Sequence, residues 1–257
     1  MSQRTQFLGI DLHKAEAVIA VLPADVGHCE SVCAVPNEEA PIRRFLKRVA
    51  QRGPIRACYE ASGCGYVLQR RMKAWGHACE VIAPSLAPTR PGDRVKTDRR
   101  DAERLALDYR AGLLTPVHLP TEEEERVRGL LRSRGHLLQD VHGTKQFLLK
   151  FLDRRDLKRQ GKNWTGAFWC WLRGLSFEAQ DRFVFESHLG LLEVKQALLE
   201  ETDREIERLS QTACFRERVG KLRCFRGVDT LTAMTLLAEL IAVKRFSGPR
   251  ALMDYVG

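Results

Sequence analysis

The stretch FLGIDLHKAEAVIAVL, residues 7–22, decides the fold. An apolar run from Phe7 ends on Asp11, His13-Lys14 makes a turn, and a second apolar run follows through Val18, Ile19 and Val21. The pattern predicts two strands, 6–12 and 15–22, joined by a tight turn. Working outward, 29–35 reads as a third strand, and Asn37 is placed to cap a helix running to about Gln51. Ile42, Phe45, Leu46 and Val49 share one face of that helix, and Gly53-Pro54 ends it. A short buried-type strand, 55–59, then delivers Glu60 at its carboxyl end. Gly63 and Gly65 lead into a helix ending near Gly76, 79–83 is a further strand closed by Pro84, and a loop rich in Pro, Arg and Gly (88–96) precedes a helix over 98–111.

The order β-β-β-α-β-α-β-loop-α is that of a ribonuclease-H-like α/β fold, three antiparallel strands followed by strand-helix units. Ligands of open α/β sheets gather beyond the carboxyl ends of strands. Asp11 lies near the end of the first strand and Glu60 at the end of the fourth. Asp98 and Asp101 are three apart, so a helix presents them on one face. These four carboxylates are the candidate catalytic and metal-binding residues, because clustered carboxylates are costly without positive charge between them. Mg2+ or Mn2+ is the expected counter-charge, and two such ions can activate a nucleophile against a phosphodiester. Simpler roles compete: Asp98 as a helix N-cap and Asp101 as the partner of an arginine. Asp11, inside an apolar strand, is the hardest to explain without a site.

Composition fits a globular protein of 257 residues with 44% hydrophobic and 29% charged residues. The net charge of +9 makes an acidic polymer a plausible partner. Its distribution is more telling, since residues 126–162 hold eleven Lys/Arg against three Asp. That concentration predicts a phosphate-contacting surface. The candidate nucleic-acid contacts are Arg99, Arg100, Arg126, Arg128, Arg132, Arg134, Lys145, Arg154, Arg155, Lys158 and Arg159, with Lys96 ahead of the acidic pair. The N-terminus reads as neither signal peptide nor membrane span, so a cytoplasmic protein with reduced thiols is expected. Cys29, Cys33 and His28 lack a second ligand pair, which favours free thiols over a metal site.

Beyond the α/β part, 122–155 reads as a long helix through Val127, Leu131, Leu138, Val141, Leu148 and Leu152. Gly129, Gly135 and Gly143 argue against an unbroken rod. An aromatic insert follows at 163–185, containing Trp164, Trp169, Trp171, Phe177, Phe183 and Phe185. Packing is its favoured reading, base stacking the alternative. A second long helix is expected over 186–223, with Leu192, Leu199, Ile206 and Ala213 at intervals of seven. The two long helices suit a coiled-coil-like antiparallel hairpin or a dimer seam. After Gly227, an apolar helix over 231–241 and the start of another from Ala251 change the character of the chain, and the turn at Gly227 is placed to offer N–H groups to a phosphate.

Three motifs in order, GIDLHK (9–14), YEASGCGY (59–66) and KTDRRDAERLA (96–106), with FRGVDTLTAMTLLAEL (225–240) and LMDYVG (252–257), resemble a known family. It is the family of insertion-sequence transposases with an N-terminal RuvC-like DEDD domain and a C-terminal serine-bearing domain. The resemblance implies a RuvC-like domain over 1–115, a basic helical coiled-coil connector over 116–223 and the start of a C-terminal transposase domain over 224–257, the fold class being α/β followed by long α-helices and a partial all-α domain. It implies that Asp11, Glu60, Asp98 and Asp101 bind the metal. It further implies recombination of DNA guided by a structured RNA from the element, and a homo-oligomer, dimer or tetramer. The family's serine nucleophile is expected to lie beyond Gly257, since Ser247 precedes that region and does not match it. A truncated or degraded copy is therefore expected.

Three other readings compete. A Holliday-junction-type nuclease would share the carboxylates but has no use for the apolar segment after Gly227. A non-catalytic nucleic-acid-binding remnant would follow from the missing serine. An ATP-binding kinase or actin-like fold needs glycine after the first aspartate, where this chain has Leu12-His13.

Overall fold

The computed structural model describes residues 4–88 and 97–256. The chain divides into two compact units, Met1–Leu119 and Pro120–Gly257.

The first unit is built on a five-stranded sheet. Its strands are β1 (Gln6–Leu12), β2 (Glu16–Pro23), β3 (Ser31–Pro36), β4 (Ile55–Glu60) and β5 (Ala78–Ile82). Their spatial order is β3-β2-β1-β4-β5. β1–β2 and β2–β3 are antiparallel, whereas β1–β4 and β4–β5 are parallel. This is the ribonuclease-H-like α/β arrangement, and it places β1 in the centre. Helix α1 (Glu39–Ala50) connects β3 to β4, α2 (Val67–Ala74) connects β4 to β5, and α3 (Asp98–Arg110) follows β5. The alternation of β1 divides its residues between two faces. Leu8, Ile10 and Leu12 pack with Ile42, Phe45 and Leu46 of α1 and with Leu68 and Met72 of α2. On the opposite face Val18, Ala20 and Leu22 pack against Ala102 and Ala106 of α3.

Asn37 does not cap α1. The N-cap is Glu38, without a side-chain cap bond, and Asn37 Nδ2 instead donates to the His13 carbonyl at 2.8 Å. One residue of offset decides this. An amide at position 37 reaches the β1–β2 turn, which already receives the chain through Asn37 N donating to Ala15 O.

The second unit is helical. It contains α4 (Glu122–Asp153), α5 (Gly166–Arg173), α6 (Ala179–Ser210), α7 (Arg216–Arg223), α8 (Thr230–Leu240) and α9 (Pro249–Val256). A capping box of Thr121 and Glu124 starts α4, and four glutamates in its first turn suit the helix dipole. Its three glycines do not interrupt it, because packing against α6 supplies more than the weak glycine penalty removes. Paired residues run in opposite directions along α4 and α6: Arg134 with Asp203, Lys195 with Asp140, Arg155 with Asp181. The two helices are therefore antiparallel. The expected second helix, 186–223, is displaced. It begins at Ala179 and stops at Ser210, where the hydroxyls of Ser210 and Thr212 donate to the carbonyls of Glu207 and Leu209 three residues back. The break lets Phe215 and Val219 turn into a core with Val127, Leu131, Ile206, Ala233, Met234 and Ala238.

The aromatic insert is core. Phe168, Leu172 and Phe185 are buried with Phe151, while Trp164, Trp169, Trp171 and Phe177 pack on them half-buried. Only Phe183 of the expected aromatic set stands out, at 75% exposure. Among the described residues, no helix is long and apolar enough to cross a membrane.

Candidate active site

Gly9 positions the site. A Cβ there would lie 2.2 Å from the Ala102 carbonyl oxygen and 2.3 Å from the Ala106 amide nitrogen. Without a side chain, α3 can cross directly over β1. Asp11, two residues on, emerges on the same face as Gly9. The parallel register pairs Gly9 with Cys58 and Ile10 with Tyr59, so Asp11 and Glu60 follow side by side at the carboxyl ends of β1 and β4. On α3 the buried stripe is Ala102, Leu105, Ala106 and Tyr109. Asp98 and Asp101 continue that stripe one turn toward the N-terminus, over the strand ends. Asp11 and Asp98 thus come together with His13, while Glu60 and Asp101 flank Arg104.

The N-cap of α3 is Thr97, whose hydroxyl accepts from Arg100 N. Asp98 is therefore not consumed as a cap. Its Oδ2 lies 3.7 Å from His13 Nε2, which in turn lies 3.1 Å from Asp11 Oδ2. One ligand atom each from Asp11, His13 and Asp98 fall within 4.8 Å of one another. Oxygens held at about 2.1 Å around an octahedral cation sit about 3 Å apart, so this spacing fits a metal with small adjustment. On the other side of the cluster, one Arg104 nitrogen stands 3.5 Å from Asp101 Oδ1 and 4.0 Å from Glu60 Oε1. The donor set brought together, two carboxylates and one imidazole, suits a divalent cation.

The electrostatics follow from this crowding. Burial pushes the Asp11 carboxyl up from its ordinary value, His13 pulls it down, and the like charges of Asp98 and Asp101 add to the rise. Asp11 in turn raises His13 above an ordinary histidine.

Sequence reasoning missed His13, Arg104, Gly9 and Thr97. His13 had a legible signal, since it sits two residues after Asp11 and alternation returns it to the same face. Arg104 is three residues from Asp101, a spacing that pairs charges on a helix. Nothing local marks Gly9, because its neighbour in space is 93 positions or more away in the chain.

The expected nucleic-acid contacts divide into several groups. Lys96 lies outside the described residues. Arg99 pairs with Glu103 on the exposed face of α3, and the backbone N of Arg100 serves the Thr97 cap. In the second unit Arg128 donates to the Ala238 and Glu239 carbonyls, and Arg132 grips the Glu239 carboxylate with two bonds of 2.8 and 2.9 Å. Arg134 holds Asp203, and Arg155 holds Asp181 and lies over the Phe151 ring. These four arginines tie helices together. Lys145 lies over Trp164, Lys158 pairs with Asp156, and Arg159 donates to Gln160 O. Arg126 and Arg154 are exposed, the former 3.8 Å from Glu122. The turn after Gly227 also has an internal partner: Asp229 Oδ1 accepts from Thr232 N at the head of α8.

Comparison with known proteins bears on the family of the chain. A family model described as a transposase, of the DEDD class of IS110 elements, matches residues 8–155. The chain is 35% identical to the transposase for insertion sequence element IS1533 of Leptospira borgpetersenii over 260 residues, covering 98% of this chain and 75% of that protein. It is 36% identical to y4qE of Sinorhizobium fredii, a protein named as a transposase, over 258 residues, covering 99% of this chain and 63% of that one. A match to more than half of the chain, and similarity running along nearly all of it, show that the chain belongs to the IS110-type family of DEDD insertion-sequence transposases.

Proposed function

We propose that this protein cuts and exchanges DNA strands at the ends of an insertion sequence, with divalent cations held by Asp11, Glu60, Asp98 and Asp101. The observation that supports the proposal best is that Asp98 Oδ2 and Asp11 Oδ2 lie 3.7 and 3.1 Å from the same His13 nitrogen, while Arg104 lies near both Glu60 and Asp101. When bound, Mg2+ or Mn2+ stabilises the charge on the attacking and leaving oxygens of a phosphodiester. The chain's own residues do the rest. Asp11 and Glu60, fixed at the ends of neighbouring strands, give the site a rigid floor. Asp98 and Asp101 come from a helix whose crossing point is set by Gly9. Arg104 spaces Glu60 from Asp101.

DNA and a structured guide RNA from the element are the proposed partners. Their backbones would meet the exposed cations, Arg99, Arg126, Arg154 and Lys158, together with Lys145 and Arg159, more than the four arginines engaged between helices. A homo-oligomer, dimer or tetramer, acting in the cytoplasm completes the reading.

The test is cleavage of labelled element-end DNA by the chain with the element's non-coding RNA. Cleavage should require Mg2+ or Mn2+, vanish with chelator, and vanish in Asp11→Asn and Glu60→Gln while DNA binding persists. Cleavage that continues undiminished in either variant would refute the proposal.

A further inference from the structure

We infer that His13 supplies a nitrogen ligand to the cation held by Asp11 and Asp98, so that this position prefers a first-row transition ion such as Mn2+ or Co2+ to Mg2+. The inference rests on the metal site proposed above and concerns which ion it takes.

The five groups divide into two sets. Arg104 stands between Glu60 and Asp101 and already offsets charge on that side. Among the described residues the group between Asp11 and Asp98 is the His13 ring, with Nε2 3.1 Å from one carboxylate and 3.7 Å from the other. A cation entering the cluster is therefore drawn most to Asp11 and Asp98, and Nε2 lies where its third protein ligand would be.

The backbone holds His13 there. Its N–H donates to Glu16 O at 2.9 Å and closes the β1–β2 turn, while its carbonyl accepts from Asn37 Nδ2 at 2.8 Å. A long flexible side chain could swing away, but an imidazole on a turn pinned from both sides has one χ1 and one χ2 to choose. Its ring is half exposed, which leaves room for waters to complete the coordination shell.

Chemistry then sets the preference. Mg2+ favours an all-oxygen shell and keeps several waters. An imidazole nitrogen adds little for Mg2+ but strengthens binding along the transition series, with Co2+ above Mn2+.

Calorimetric titration of the full chain with Mn2+, Co2+ and Mg2+ tests this, beside wild type, His13→Ala and Asp11→Asn. Loss of His13 should weaken Mn2+ and Co2+ by about tenfold or more and move Mg2+ by less than about threefold. Electron spin-echo spectra of the Mn2+-loaded wild type should show modulation from a directly bound nitrogen, absent in His13→Ala. If wild type binds Mn2+, Asp11→Asn abolishes binding, and yet no nitrogen coupling is seen, the cation site stands and the role of His13 falls. If Asp11→Asn binds Mn2+ as wild type does, or wild type binds none, the site itself is wrong and this inference goes with it.

Discussion

Replacing Gly9 by alanine sets two physical effects against each other, and they have opposite signs. Judged by backbone entropy alone, alanine in a strand interior should stabilise by about 0.5–1 kcal/mol. Judged by packing, it cannot fit: the new Cβ would lie 2.2 and 2.3 Å from backbone atoms of α3 and 2.9 Å from Leu105 Cβ, where ordinary contact begins at 3.4 Å. Both close atoms are main chain, so no rotamer relieves the clash, and α3 must retreat by about 1 Å. Overpacking of this kind costs about 1–3 kcal/mol. The retreat also carries Asp98 and Asp101 away from Asp11 and Glu60. A 1 Å misplacement of reacting groups can cost about a hundredfold in rate. Urea unfolding, Mn2+ calorimetry and strand cleavage on Gly9→Ala should therefore show lower stability, weaker cation binding and slower cleavage together, although no ligand has been removed. A variant as stable as wild type or more so, with unchanged Mn2+ affinity, would refute the view that α3 is seated by contact at this glycine.

The remaining predictions concern the helical unit. Gly129→Ala in α4 has open space around the new Cβ and should raise stability by about 0.5–1 kcal/mol in chemical denaturation. Phe151→Ala removes a ring buried among Phe177, Phe185 and Phe168 and should lower it by about 3–5 kcal/mol. The Arg132 guanidinium holds the Glu239 carboxyl below the ordinary carboxylate range. A depressed carboxyl contributes stability above its unfolded pKa and loses it as pH falls through the folded one. The stability gap between wild type and Glu239→Gln, measured across an acid titration, should accordingly be open at neutral pH and close in the acid range. For nucleic acid, Arg154→Ala should flatten the slope of log K against log salt by about 0.7–0.9, while Arg134→Ala should act mainly on thermal stability, because its guanidinium is engaged with Asp203.

Much of this was legible along the chain. Alternation in 7–22 marks two strands, the three-four spacing marks α4, and Asp11 in an apolar run is anomalous enough to name a site. The end of α6 was not legible, because a heptad-like run continues on paper through Ala213 while Phe215 is drawn into a core formed with α4 and α8. The charge of 126–162 was legible as an excess, yet its acidic partners Asp181, Asp203 and Glu239 lie outside that window and appear only when the helices pair.

The sequence by itself determined the element types and named the four carboxylates, since periodicity and the cost of burying charge are local properties of the residues. Only the tertiary structure decided that His13 stands between Asp11 and Asp98, that Arg104 stands between Glu60 and Asp101, and that Gly9 is the seat of α3. Those facts depend on the crossing of a strand by a helix some ninety residues later, and a crossing point is set by close contact between backbones, which leaves no periodic mark on either segment.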